Sequence, residues 1–130
     1  MTMNHSEPVV LDPQATAAYA HLFQGLADPT RLAVLQHLAS GEHRVRDLVQ
    51  HLGFAQSTVS KHLSFLLECG LVAVRPDGRA SWYSLAHPER LSTVIAAAEA
   101  LLEAAGTRAT LCSHLRSPRP AAPTAERKDD

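Results

Sequence analysis

The chain has 130 residues, with 12 Lys and Arg against 13 Asp and Glu. That length suits one domain and excludes a two-domain enzyme of the doubly wound or barrel kind. Apolar residues make up 45% and aromatics only 5%, enough for a real core and suited to helices packed through aliphatic stripes. A formal net charge of −1 gives no general attraction to nucleic acid, and eight histidines beside two cysteines raise the question of a metal ion.

No run approaches 18 apolar residues, so no membrane partner is expected. Residues 1–10 lack the basic-then-apolar pattern of a secretory signal. Two distant cysteines do not make a disulfide framework. The expectation is a cytoplasmic protein with reduced thiols.

Residues 1–10 read as a flexible arm. Asp12-Pro13 then gives a helix start, an acceptor at the cap with proline at the first helical position. Ala15, Ala18, Leu22 and Leu26 follow on one helical face. Asp28-Pro29 repeats the start signal, and Leu32, Leu35 and Leu38 form a second stripe that stops at Gly41. A third helix runs from Arg44 to Leu52 and a fourth from Gln56 to Cys69, closed by Gly53 and Gly70. The period then changes. Leu71 to Arg75 and Ala80 to Leu85 are short β-branched or aromatic runs around Pro76-Asp77-Gly78-Arg79, which predicts a two-stranded hairpin. A long helix follows from Pro88 to Ala105. Its stripe of Leu91, Val94, Ile95, Ala98, Leu101, Leu102 and Ala105 is longer than a small monomer needs and suits pairing with a second copy. Residues 107–116 form a C-terminal segment without a clear period, and 117–130 read as a disordered tail.

The predicted fold class is therefore mainly α with a small β-hairpin, in winged helix-turn-helix order, dimerising through the first and last helices. Residues 11–106 make that domain. Opposite the apolar stripe of the fourth helix sit Gln56, Ser57, Thr58, Ser60, Lys61 and Ser64. Short polar side chains around one cation suit a helix laid in the major groove, and the positive helix end favours phosphate. Ser and Thr at a helix start serve equally well as caps. The hairpin downstream, with Arg75 and Arg79 beside its turn, tips the reading towards DNA.

Several motifs carry a family resemblance. They are Leu26-Ala27-Asp28-Pro29-Thr30-Arg31-Leu32, the run from Gln56 to Leu63, Gly70-Leu71-Val72, and Gly78-Arg79 leading into Trp82-Tyr83-Ser84-Leu85. Together they resemble the ArsR/SmtB winged-helix repressors over residues 15–105. The resemblance implies a cytoplasmic bacterial homodimer on double-stranded operator DNA, at an imperfect palindrome, that leaves when an inducer binds. It places Gln56, Ser57, Thr58, Ser60, Lys61 and His62 at the start of the recognition helix, and Arg75 and Arg79 on the wing. His62 reads first as a phosphate or base contact, second as a capping or packing residue, and third as a metal ligand. Arg31 reads instead as a structural ion-pair former in the first turn of a core helix.

The same resemblance allows each family metal site to be tested against this chain. A Cys-x-Cys site at the third helix falls on Arg44 and Arg46, which excludes it. A site at the two ends of the last helix falls on His87, Glu89, Ala100 and Glu103, where Ala100 breaks the helix-borne pair. His87, Glu89 and Glu103 are therefore weaker candidates. The cadmium- and lead-sensing branch has a Cys at the Cys69 position, another where Phe65 stands, and a third in the C-terminal segment, which Cys112 matches. Two thiolates need a further ligand. His114 is nearest, reaching the same ion only if the segment is extended; the partner's arm with His5, or water, are the alternatives. Read without the resemblance, Cys69 is a small buried residue and Cys112 an incidental thiol. His21, His37, His43 and His51 read as solvated or packed.

The leading expectation is a repressor released from its operator by a divalent thiophilic ion of the Cd, Pb or Zn class, with no organic cofactor. A thiol-based redox or sulfide-responsive repressor of the same type is the variant. A dimeric interaction or metal-buffering module that binds no DNA is the reading of another class. No acid/base pair, nucleophile constellation or glycine-rich phosphate loop points to an enzyme.

Overall fold

The computed structural model describes residues 10–116; the expected arm, His5 and the tail after Arg116 lie outside the described residues, apart from Val10. Helix α1 (Pro13–Leu26) is followed by α2 (Pro29–Leu38), β1 (His43–Arg44), α3 (Val45–Leu52), α4 (Gln56–Glu68), β2 (Val72–Asp77), β3 (Ala80–Leu85), α5 (Pro88–Ala104) and α6 (Ser113–Arg116). The Asp-Pro starts behave as the residue chemistry requires. Asp12 accepts the backbone N–H groups of Gln14 and Ala15 at 3.0 and 3.3 Å, and Asp28 accepts that of Thr30 at 3.4 Å. Each satisfies donors that a helix start leaves open.

The core gathers one face from nearly every element. Val34, Leu35 and Leu38 of α2, Leu48 of α3, and Val59, Leu63 and Leu66 of α4 meet Leu85 of β3 and Leu91 and Ile95 of α5. The spacing of Val59, Leu63 and Leu66 is the inward stripe of one helix, and it fixes which side of α4 is left outside.

The hairpin pairs Val72 with Leu85 through Asp77 with Ala80. Its Gly78-Arg79 loop has positive φ at Gly78 (63°) and at no non-glycine residue, the pattern of a type II′ turn. Pro76 lies on β2, an edge strand, where a missing N–H costs little. The expected two-stranded hairpin gains a third strand: His43 and Arg44 pair antiparallel with Tyr83 and Trp82, giving the order β1-β3-β2. Two residues carry too little periodicity to be read as a strand from sequence. They are held by Arg44, whose guanidinium makes two bonds of 3.0 Å to Asp47 and lies 5.0 Å from the centre of the Trp82 ring. Those bonds hold the Asp47 carboxyl down at about 2, so their contribution is complete above the ordinary Asp value and is lost as pH falls through about 2.

The packed unit does not stop at Gly106. Leu115 of α6 is fully buried within the core, with Leu111 and Cys112 packed against it. Ser92 donates to the Arg116 carbonyl at 2.6 Å, and Arg116 pairs with Glu99 at 3.3 Å. Truncating Leu115 to Ala is expected to cost about 2–4 kcal/mol in urea unfolding. A change below ~0.5 kcal/mol would mean that α6 is not part of the cooperative unit.

Candidate nucleic-acid interface and thiol sites

Helix α3, the three-residue link with left-handed Gly53 (φ 79°), and α4 make the helix-turn-helix. With Val59, Leu63 and Leu66 inward, Gln56, Ser57, Lys61 and Ser64 are exposed, while Thr58 and Ser60 are half-buried. Ser57, Lys61 and Ser64 fall at i, i+4 and i+7, one line along the outer face. The N-cap of α4 is Ala55, which offers no side-chain bond. The serines near the start are therefore not caps, and among the described residues no side-chain bond to the first-turn donors is seen.

Arg79 is exposed at the tip of the wing. Arg75, expected beside it as a second free cation, is engaged elsewhere. It donates to both carboxylate oxygens of Glu42 at 3.2 and 3.0 Å and lies 3.9 Å from Asp77. A bidentate pair of this kind fastens β2 to the loop after α2. His62 departs from its first reading, as a groove contact, and takes the packing role. Its ring is turned inward and is 14% exposed, with Nε2 3.3 Å from Asp28 and Nδ1 3.2 Å from Arg31. An Arg only donates, so Nδ1 accepts and Nε2 carries the proton that meets Asp28. A ring committed to this contact does not stand on the outer face with Lys61.

Arg31 sits at the centre of that contact, as the structural reading expects. Its guanidinium donates to the Gly25 carbonyl at 3.3 Å and to the Gln24 carbonyl, lies 3.9 Å from Asp28, and stacks 4.5 Å from the centre of the Phe65 ring. One side chain thus joins the end of α1, the start of α2 and the middle of α4.

The thiol candidates are kept apart. Cys69 closes α4 and packs on α1, with Sγ 3.7 Å from the His21 carbonyl and 3.9 Å from His21 Nε2. Gly25 permits that approach, because a Cβ there would lie 3.2 Å from Cys69 Sγ and 3.1 Å from Leu71. Burial pushes the Cys69 thiol up. Cys112 packs instead on α2, its N–H donating to Gln36 Oε1 at 2.8 Å and its Sγ 3.7 Å from the Gln36 carbonyl. His114 follows in α6 and is exposed. Among the described residues, neither cysteine nor His114 belongs to a group of three ligand side chains. The weaker set is also dispersed. His87 and Glu89 stand at the start of α5, and Glu103, fourteen residues on and 3.6 Å from Arg108, lies about 20 Å away.

One group of three does form, from histidines that read separately in the sequence: His37, His43 and His51. They come from α2, β1 and α3, so only the tertiary fold brings them together. The His21–Cys69 pair was missed for the same reason.

A family model described as "Bacterial regulatory protein, arsR family" matches residues 28–74, from the cap of α2 into the wing. A "Probable mercury resistance operon repressor" of Streptomyces lividans is 42% identical over 85 residues, 65% of this chain and 66% of the relative. The crystal structure of M. tuberculosis Rv0081 superposes with a TM-score of 0.63 at 30% identity, covering 73% of this chain and 95% of that one. The chain belongs to the ArsR family. It spans just under two thirds of the curated repressor's length. A further ArsR-type neighbour is the homodimeric winged helix-turn-helix DNA-binding domain Mb0332 from Mycobacterium bovis (fragment 1–100). It has a TM-score of 0.60 at 29% identity, over 75% of this chain and 95% of that one.

Replacing Arg31 by Ala is expected to lower stability by about 1–2 kcal/mol, since it leaves the part-buried Gly25 carbonyl and the His62 ring without their donor. Urea unfolding at neutral pH reads this directly, and a loss under ~0.5 kcal/mol would show the cluster to be dispensable.

Proposed function

We propose that this ArsR-family chain is a DNA-binding transcriptional repressor, acting as a homodimer on an imperfectly palindromic operator and released by a thiophilic metal ion. The observation that carries the reading is the outer face of α4. Short polar side chains surround Lys61 on a helix whose first turn is left without a side-chain cap, beside a wing tipped by Arg79. Open N–H groups and the positive helix end suit a phosphate, while Gln56 and Ser57 are short enough to approach base edges.

The apolar outer faces support the dimer. Tyr19 of α1 is 65% exposed and Leu101 of α5 71%, with Phe23 and Leu102 also exposed. Gly25 is the one buried residue of α1, and a helix with so little burial of its own gains most of its stability from a covering surface. A two-fold axis through α1 and α5 would present two α4 helices to half-sites one DNA turn apart.

Inducer binding is read at Cys69. Its thiol lies between the end of α4 and His21 of α1, so an ion there couples the reading helix to the dimer face. The remaining ligands come from the partner subunit or from the Cys112–His114 segment after it leaves α2. Burial keeps the thiol protonated, which slows oxidation, whereas a coordinating soft ion displaces the proton. This favours metal over a redox signal. Release of mostly bound operator needs coupling of about 3–5 kcal/mol, and DNA weakens metal binding equally.

Two measurements test this. Lys61→Ala is expected to weaken operator binding and lower the slope of log affinity against log salt by about one; an unchanged slope removes Lys61 from the phosphate contacts. Cys69→Ser is expected to hold the operator while abolishing its release by cadmium, lead, zinc or mercury. Wild-type release from that variant would exclude Cys69 as a ligand.

A further inference from the structure

His37 lies in the last turn of α2, His43 in β1 and His51 in the last turn of α3. One ring nitrogen from each falls within 4.8 Å of the others. The ring centres are 4.5, 4.8 and 5.6 Å apart, and the rings are inclined to one another at 51 to 84°, not stacked flat. We propose that His37, His43 and His51 form a three-imidazole binding site for a divalent transition-metal ion of the zinc, nickel and copper class, with water in the fourth position.

Three features of the cluster support this. His43 Nδ1 lies 2.8 Å from the Gly41 carbonyl. A carbonyl only accepts, so Nδ1 carries the proton and, in the neutral ring, Nε2 keeps its lone pair. A backbone carbonyl behind the ring is the usual second partner of a metal-bound histidine. His37 Nε2 and His51 Nδ1 face each other at 2.7 Å. Two ring nitrogens at that distance need a proton between them or a cation in its place. Finally, His37 and His51 sit at helix C-termini, where the negative end of each dipole favours a cation.

Metal–nitrogen bonds of about 2.0–2.1 Å in a tetrahedron set the nitrogens roughly 3.4 Å apart. The His37–His51 pair, at 2.7 Å, must therefore open by less than about 1 Å, and the widest pair, within 4.8 Å, must close by up to about 1.4 Å, with His51 on the exposed side of the cluster. Imidazole-only ligation suits zinc, nickel and copper. The site has no thiolate and is separate from the Cys69 reading, on which it does not rest. A bound ion would tie the ends of α2 and α3 to β1, bracing the helix before the turn into α4 and the strand that joins the wing.

Cobalt(II) is the probe, added to the untagged, metal-free full chain. The chain with both cysteines changed to Ser is expected to bind one cobalt ion, giving visible d–d absorption without thiolate charge-transfer bands and losing it to zinc. His51→Gln and His43→Gln in that background are expected to weaken binding at least ~10-fold. Circular dichroism checks that each variant is folded. His51→Gln decides if His43→Gln is not, because the exposed His51 ring carries no core packing. No uptake at about 100 μM cobalt or zinc, far weaker than His-rich zinc sites hold their ion, would overturn the proposal. So would undiminished uptake by folded His51→Gln. Loss of metal-driven operator release in the cysteine variants, with cobalt still bound, leaves this site standing and bears only on Cys69.

Discussion

The arrangement depends on one guanidinium. Arg31 takes the two carbonyls that end α1, stands beside the Asp28 that starts α2, and holds the His62 and Phe65 rings of α4. Those groups come from three helices. The α4 register follows from this clamp together with the inward stripe of Val59, Leu63 and Leu66. Because His62 is held inward, Lys61 and Ser57 must face out.

A second set of ion pairs does for the sheet what Arg31 does for the helices. Arg75 with Glu42 and Arg44 with Asp47 fasten the wing to the loop after α2 and β1 to the first turn of α3. Under the proposed role this divides the cations by task. Arg31, Arg44 and Arg75 are consumed in setting geometry, which leaves Lys61 and Arg79 on the outer surface of the reading helix and wing. A chain of net charge −1 then needs only locally placed charge to approach DNA, and its general affinity for polyanions stays low.

The order of the five longer helices and the hairpin, the Asp-Pro helix starts and the inward face of α4 were legible from local spacing and cap chemistry, while β1 and α6 were not. The outward residues of α4 followed from that stripe. What escaped was whatever depends on distant partners. Arg75 reads as a wing cation until Glu42, 33 positions earlier, is seen to claim it. His62 reads as a groove contact because its spacing from Lys61 says nothing of Asp28. The histidines at 37, 43 and 51 share no periodicity, and the buried Leu115 lies beyond a stretch without pattern. The expected Cys69, Cys112 and His114 set is scattered because α6 docks on α2, leaving Cys112 against Gln36.

The starts of α1, α2 and α4 differ in a way that bears on how the chain divides stability from recognition. Asp12 and Asp28 close the first turns of α1 and α2 with a carboxylate, while Ala55 leaves the first turn of α4 open. An Asp at 55 would firm the fold by about 1 kcal/mol. It would also put a fixed negative charge where the proposed phosphate is to lie. Under the proposed role, the alanine leaves this turn without a side-chain acceptor in the free protein, so that a nucleic-acid backbone, rather than the chain's own carboxylate, supplies it.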